Sequence, residues 1–270
     1  MSQEKLSGLT AYLETLKSAV LAYSGGVDST FLLKALKLSG IKALAVTSTS
    51  ESHPQWDIED AIRMAGLIGV EHRLIKTREL QNSNYSQNPP DRCFFCKDEL
   101  FAQLRQIADR EGIINVLDGS NADDLNDYRP GREAALKHGV KSPLIELNIG
   151  KQEIRRFSRE LGLSTWDKPG SPCLSSRIPY GTPVTPYILG RISECENALR
   201  ELGFRQLRVR YHGEIARIEL PPEDFERAVS MREAIAEALK PYFKYICLDI
   251  EGLRPGNLNM DVFSSGKHQA

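Results

Sequence analysis

The feature that most constrains this chain is the junction AVLAYSGGVDSTFLLKAL, residues 19–36, where an apolar run of strand length meets a glycine pair and then an amphipathic helical pattern. Such a turn presents free backbone N–H groups at a helix N-terminus, where positive partial charge favours phosphate oxygens. A simpler reading is a tight strand-to-helix turn with Asp28 or Ser29 as a cap. The fuller string argues for more: Ser24 and Ser29 flank Gly25 and Gly26, and Asp28 stands at the helix start, where a carboxylate can hold Mg²⁺. Neither G-x-x-x-x-G-K-[ST] nor the dinucleotide fingerprint occurs, so P-loop phosphoryl transfer and Rossmann hydride transfer lack their signatures.

Strand and helix patterns alternate from the start. A helix is predicted near 3–16, a strand near 18–23, a helix over 28–39, a second strand in IKALAVTST, a helix in the segment SHPQWDIEDAIRMAGLIG and a third strand in VEHRLIKT. This predicts an α/β fold built on a doubly wound parallel sheet. The polar segment 77–92 reads as a mobile loop, followed by a helix near 96–111, the strand INVLDGS, a short helix, the segment SPLIEL and a helix near 150–161. The texture changes at KPGSPCLSSRIPYGTPVTP, whose prolines and glycines mark a linker. The division is therefore a nucleotide-binding domain at 1–167, a linker at 168–185 and a smaller α+β domain at 186–270. The last comprises a helix at 186–202, adjacent strands FRQLRVRYH and EIARIELP, a helix at 222–239 and a strand in YFKYICLDI.

Composition is ordinary for a globular protein, 41% hydrophobic and 26% charged over 270 residues. No apolar run approaches the ~20 residues of a membrane span, and the first segment lacks the apolar centre of a signal peptide, so a cytoplasmic enzyme without membrane contact is expected. Net charge is −1, which gives no global field for nucleic acid, although IRRFSREL and RQLRVRYH are local basic patches. The sequon at 84–86 carries no meaning in the cytosol. Five cysteines in a reducing compartment do not form a disulfide framework.

Those cysteines carry the next signal. Cys93 and Cys96 form a C-x-x-C at a helix start, and Cys173 lies far along the chain in the linker. The pair alone suits a redox couple, half of a zinc site or two small buried residues. With Cys173 the readings narrow to zinc completed by His or water, and a 4Fe-4S cluster with one open iron, which we favour because the histidines are scattered singly. An open iron can hold an extra sulfide as a nucleophile. Cys195 and Cys247 read as core residues. In VLDGSNADDLNDYRPG, residues Asp118, Gly119, Asn121, Asp123, Asp124, Asp127 and Arg129 cluster after a strand; Asp124 suits Mg²⁺ and Arg129 a phosphate, while Asp123 and Asp127 equally suit turns and caps. Lys97, beside the C-x-x-C, can also reach a phosphate. Ser176 and Arg177 sit near the domain junction with Arg208 and Arg210, which share one strand face and can grip a single phosphate unless they are merely solvated.

The string SGGVDST resembles the phosphate loop of the PP-loop ATP pyrophosphatases, which implies cleavage of ATP between its α and β phosphates and adenylation of a substrate oxygen. Over nearly its whole length the chain resembles the LarE-type ATP-dependent sulfur transferases of that superfamily, through SGGVDST, VLDGSNADDLNDYRPG, SSRIPYGT, LGFRQLRVRYH and IARIELP. The resemblance implies that carboxylates of a pyridinium biscarboxylic acid mononucleotide are adenylated and turned into thiocarboxylates, a step toward a nickel-pincer nucleotide. It implies ATP phosphates at Ser24, Gly25, Gly26, Asp28 and Ser29, a substrate-phosphate site at Ser176, Glu196, Arg208 and Arg210, and a homo-oligomer. Some members sacrifice the sulfur of a linker cysteine; here that position is Pro172, and Cys93, Cys96 and Cys173 match the three-cysteine branch with a 4Fe-4S cluster fed by sulfide or another sulfur donor.

The main rival is an iron–sulfur PP-loop tRNA thiolase, which needs a long phosphate-tracking surface that a chain at −1 offers poorly. A non-catalytic nucleotide-responsive regulator would not need Asp28 and Asp124 beside the loop, and an ammonia-dependent ligase would leave the three cysteines without work.

Overall fold

The computed structural model describes residues 2–126 and 129–254, so Asp127 and the segment from 255 onward lie outside the described residues. The chain forms two compact units, one of residues 1–82 and 91–171, the other of residues 83–90 and 172 onward.

In the first unit α1 (Ser2–Thr15) precedes β1 (Ser18–Ala22), α2 (Val27–Ser39), β2 (Lys42–Thr49), α3 (Gln55–Ile68) and β3 (Glu71–Lys76). The one-turn α4 (Ser83–Ser86) belongs to the other unit, and the first resumes with α5 (Arg92–Glu111), β4 (Asn115–Leu117), α6 (Gly131–Lys137), α7 (Pro143–Glu146) and α8 (Lys151–Glu160). The strands form one sheet in the order β3-β2-β1-β4, parallel throughout. Every residue of β1 is buried, as a central parallel strand covered on both faces requires. One face packs against Leu9 and Leu13 of α1, Phe31 and Leu32 of α2, Met64 of α3 and Phe157 of α8; the other packs against Phe101 and Leu104 of α5 and Ala134 of α6. Because β2 and β3 lie to one side of β1 and β4 to the other, the carboxyl ends of β1 and β4 flank the topological switch point, where open α/β sheets place their ligands.

The second unit holds α4, a 3₁₀ turn at Leu174–Arg177, α9 (Pro186–Glu201), β5 (Arg208–His212), β6 (Ile215–Glu219), α10 (Phe225–Ser230), α11 (Arg232–Leu239) and β7 (Tyr245–Leu248). Pro186 opens α9, and Thr185 caps it by accepting from the Ile188 N–H at 3.2 Å. β5 and β6 pair antiparallel and β7 joins β6 in parallel. The helix expected over 222–239 is broken at Met231, so that Ala228 on one piece and Ile235 and Leu239 on the next reach the same core as Leu199 and Phe204.

The polar segment read as a mobile loop contributes its middle to this unit. Tyr85 is buried and its hydroxyl lies 2.6 Å from Ser175 Oγ, while Asn88 Nδ2 donates to the carbonyls of Ile178, Pro179 and Thr182 at 3.3, 2.8 and 2.9 Å. Residues 83–90 are thus stitched to the linker.

Phe31 and Phe157 stack at 5.7 Å between centroids and 16° between planes, joining α2 to α8 in a fully buried place. Phe157→Ala should cost about 3–5 kcal/mol in urea unfolding. Leu136→Ala, at a residue 76% exposed, should stay within about 0.5 kcal/mol of wild type. A stable Phe157→Ala protein would contradict this packing.

Candidate active site

The turn between β1 and α2 is shaped by a close approach. Gly25 has φ +69°, and a Cβ there would sit 2.9 Å from both Cα and Cβ of Ala61, so α3 packs directly on the loop backbone. Gly26 occupies the N-cap of α2 with extended backbone and no capping side chain, which leaves the first N–H groups of the helix directed at the loop's mouth. The Ser24 and Ser29 hydroxyls meet at 3.1 Å, and the Ser24 N–H donates to Ser29 Oγ at 3.3 Å. Gly119, after β4, forms the opposite wall: a Cβ on it would stand 3.0 Å from Ser29 Cα and N.

Two acidic residues meet at this mouth. Asp28 accepts from Lys151 Nζ with both oxygens, at 2.8 and 2.6 Å, and from Asn121 Nδ2 at 3.3 Å. The backbone N–H of the same Asn121 donates to Asp124 at 3.0 Å, and Asp124 pairs with Arg129 at 2.8 Å. One residue therefore bridges the two carboxylates singled out for Mg²⁺. Asp123 accepts from the Lys151 N–H at 2.7 Å, and Asp118 accepts from Ser120 and Ser142 hydroxyls, both at 2.7 Å, so these two hold the frame. Lys97 lies with its stem against Gly131 and its ammonium 5.6 Å from the Phe101 ring centroid.

Lys151 escaped the sequence reading. Its signal is a lone cation on the first turn of α8, where the helix dipole disfavours positive charge, and that misfit implies an anionic partner elsewhere in the chain.

In the second unit the linker arginine is buried. Arg177 is 2% exposed and holds Glu196, itself fully buried, through two hydrogen bonds at 2.8 and 3.0 Å; Glu196 also accepts from the Val209 N–H at 3.0 Å. Arg177 Nη1 donates to Ser176 Oγ at 2.9 Å. Arg210 is equally buried, paired with Glu219 at 2.9 Å and donating to the Ser176 carbonyl at 2.6 Å, while Arg217 shares Glu219 at 3.1 Å. Arg208 differs. Among the described residues no carboxylate lies within ion-pair distance of it, and it donates to the Arg254 carbonyl at 3.3 Å. Burial, with the charges of Arg210 and Arg177, pushes its pKa down to about 10. An anion at Arg208 would relieve that repulsion; Arg177 and Arg210 serve as its braced surroundings.

Cys93 lies on the first turn of α5 and Cys96 one turn further on, Cys93 exposed and Cys96 half-buried; Cys173, next to the linker's 3₁₀ turn, is half-buried. Among the described residues no group of three or more His, Cys, Asp and Glu side chains is placed to hold a metal ion. Cys195 is buried, and burial raises its thiol to about 12, which leaves it an inert core residue. Cys247 is exposed, contrary to expectation, because β7 is an edge strand and residue 247 is on its outer face. No helix among the described residues is long and apolar enough to cross a membrane.

A parallel sheet whose first strand runs into an SGGVDS loop, with a carboxylate pair at the switch point, defines a nucleotide-binding enzyme of the PP-loop kind. The fold agrees with the structure of NMN synthetase from Francisella tularensis, at a TM-score of 0.51 and 17% identity over 63% of this chain and 76% of that one. No protein-family model matches the chain. It is 46% identical to the uncharacterized protein slr1717 of Synechocystis over 96% of this chain and 98% of that protein. It is 36% identical to the pyridinium-3,5-bisthiocarboxylic acid mononucleotide synthase of Lactiplantibacillus plantarum, over 94% of each. A tRNA-specific 2-thiouridylase of Beijerinckia indica is 24% identical over 58% of this chain. The chain belongs to the LarE family of ATP-dependent sulfurtransferases.

Gly25→Ala should place a Cβ against Ala61 at a positive φ, costing at least about 1–3 kcal/mol and weakening nucleotide binding. Gly8→Ala, in α1 with open space around it, should instead gain about 0.5–1 kcal/mol. Thermal melts with and without MgATP read both; an unperturbed Gly25→Ala chain would contradict the close approach.

Proposed function

We propose that this sulfurtransferase adenylates a carboxylate of a pyridinium mononucleotide and replaces one of its oxygens by sulfur, toward a nickel-pincer nucleotide. The observation that carries the reading is the pairing of Asp28 and Asp124 through Asn121 at the mouth of the phosphate loop. A substrate carboxylate oxygen attacks the α-phosphorus of ATP, the bond to the bridging oxygen breaks, and pyrophosphate leaves. A sulfur nucleophile then adds to the carbonyl carbon of the acyl adenylate and expels AMP, giving the thiocarboxylate. The first step makes the leaving group that a bare carboxylate lacks.

In this reading the N–H groups of Gly25 and Gly26, with the Ser24 and Ser29 hydroxyls, hold the departing pyrophosphate. Asp28 and Asp124 hold Mg²⁺. Lys151, already ion-paired to Asp28, shifts its ammonium to the phosphates when the metal takes that carboxylate. Arg129 and Lys97 add positive charge, and Gly119 lets the backbone come close. Arg208 binds the substrate's phosphate with Ser176, inside the frame that Arg177, Glu196 and Arg210 brace.

The three cysteines Cys93, Cys96 and Cys173 would hold a 4Fe-4S cluster: their donor chemistry is that of thiolates on iron, and the first two stand one helical turn apart. When bound, the cluster would supply a soft iron able to carry sulfide. The working form is a homo-oligomer that acts on a small molecule and not on nucleic acid.

Anaerobic reconstitution of Cys93→Ala, Cys96→Ala and Cys173→Ala should each leave the chain without bound iron and without thiocarboxylate product, while pyrophosphate release persists. Cys195→Ala and Cys247→Ala should keep both iron and product. Stoichiometric zinc in the wild type, or full sulfur transfer by Cys173→Ala, would contradict the cluster; turnover on tRNA alone would favour the thiolase reading.

A further inference from the structure

The carboxyl ends of β2 and β3 carry a polar network that the reaction above leaves unused. Glu79 follows β3 and is 1% exposed; it accepts from the Ser50 hydroxyl and, at 2.6 Å, from the Ser52 hydroxyl. Burial opposes its charge, but the hydrogen bonds it accepts, those from Ser50 and Ser52 foremost, together hold the carboxyl below its usual range. Glu79 is thus an acceptor only, so the single hydroxyl proton of Ser50 is spent on it.

Ser50 Oγ lies 3.0 Å from His53 Nδ1. Ser50 Oγ also lies 2.9 Å from Ser52 Oγ, which reaches the same Glu79 oxygen; with its proton on Glu79, Ser50 accepts from His53, which puts the imidazole proton on Nδ1. Burial keeps His53 below its usual pKa; Glu79 and Asp57 pull the other way, and Lys97 reinforces the burial. The ring is therefore neutral near pH 7, and Nε2 bears a lone pair. Its neighbour is the Ser48 hydroxyl at 3.5 Å, the limit of hydrogen bonding.

The loop bearing His53 runs beside the phosphate loop. Thr47 Oγ1 donates to the Tyr23 carbonyl at 2.6 Å, and the Tyr23 N–H donates to Val46 at 2.9 Å, which ties the end of β2 to the residue preceding Ser24. Pro54 then starts α3, whose Ala61, roughly 9 Å along the helix axis from Gln55, is the wall against Gly25. A nucleotide with its phosphates on the β1 loop extends toward an adjoining strand end at the sheet's carboxyl edge.

We propose that Glu79 is a positioning residue which, through Ser50, fixes His53 as the Nδ1–H tautomer, so that His53 Nε2 accepts an N–H or O–H from the nucleoside of the bound nucleotide. This rests on the nucleotide reading above and adds to it a residue that selects the nucleoside rather than the phosphates.

The test has two arms on the full chain. Ring ¹⁵N NMR of His53 should show a protonated Nδ1 in the wild type, and Glu79→Ala and Ser50→Ala, which remove the acceptor and the relay, should lose that signature. In calorimetric titrations with Mg²⁺, His53→Leu should weaken α,β-methylene-ATP at least about tenfold and leave inorganic tripolyphosphate unchanged, and His53→Gln, which restores an acceptor near the Nε2 position, should recover most of the loss. If the His53→Leu penalty vanishes for the 2′-deoxy analogue the donor is the ribose, and if for the inosine analogue the base; either supports the proposal. An Nε2–H tautomer in the wild type, an unchanged analogue affinity in His53→Leu, or equal weakening of both probes would overturn it. A wild-type chain that binds tripolyphosphate but no better as the nucleotide analogue would overturn the proposal and spare the phosphate loop. Binding of neither probe would contradict the nucleotide reading itself, and the proposal with it.

Discussion

The first unit depends on the approach of α3 to Gly25. Because Ala61 stands where a side chain on residue 25 would be, the loop can only take its left-handed turn, and α2 starts with its N–H groups uncovered. That arrangement needs a rigid floor, which β1 supplies by being buried from end to end between β2 and β4. Packing places the loop, and the loop then decides which ions can come near.

Charge is handled differently in the two units. In the first, Asp28 and Lys151 are both partly exposed, at 23% and 37% of their side chains, so their ion pair can open at modest cost when a better partner arrives. In the second, Arg177–Glu196 and Arg210–Glu219 are sealed, and removing one member would strand a buried charge at about 3–5 kcal/mol. Sealed pairs suit a frame and open pairs a switch. Arg208 gains its character from the frame, since the guanidiniums around it remain only partly neutralised.

The sequence carried the first unit well because β1 and α2 have strong periodicities of their own, and the SGGVDS string fixes what lies between them. The membership of Asp28, Asp124 and Gly119 in one place followed from strand ends in a parallel sheet. Lys151 did not follow, since its partner is far away in the chain and only folding reveals the pair. Residues 83–90 likewise read as part of a mobile polar loop, because the burial of Tyr85 and Asn88 is set by a serine hydroxyl and by carbonyls of the distant linker. Arg208 and Arg210 were read as equals from their spacing on a strand, whereas Glu219 on the neighbouring strand is ion-paired to Arg210. The 3.6-residue period also ran unbroken through Met231, where packing against the core divides the helix.

The central claim is that a substrate carboxylate is activated by AMP on this loop. Its most direct test is isotopic: a pyridinium mononucleotide labelled with ¹⁸O in its carboxylates, incubated anaerobically with MgATP and sulfide, with the phosphorus products read by ³¹P NMR. The account requires one ¹⁸O in the AMP for each thiocarboxylate formed and none in pyrophosphate. Label in orthophosphate with ADP as the nucleotide product, or unlabelled AMP, would contradict it.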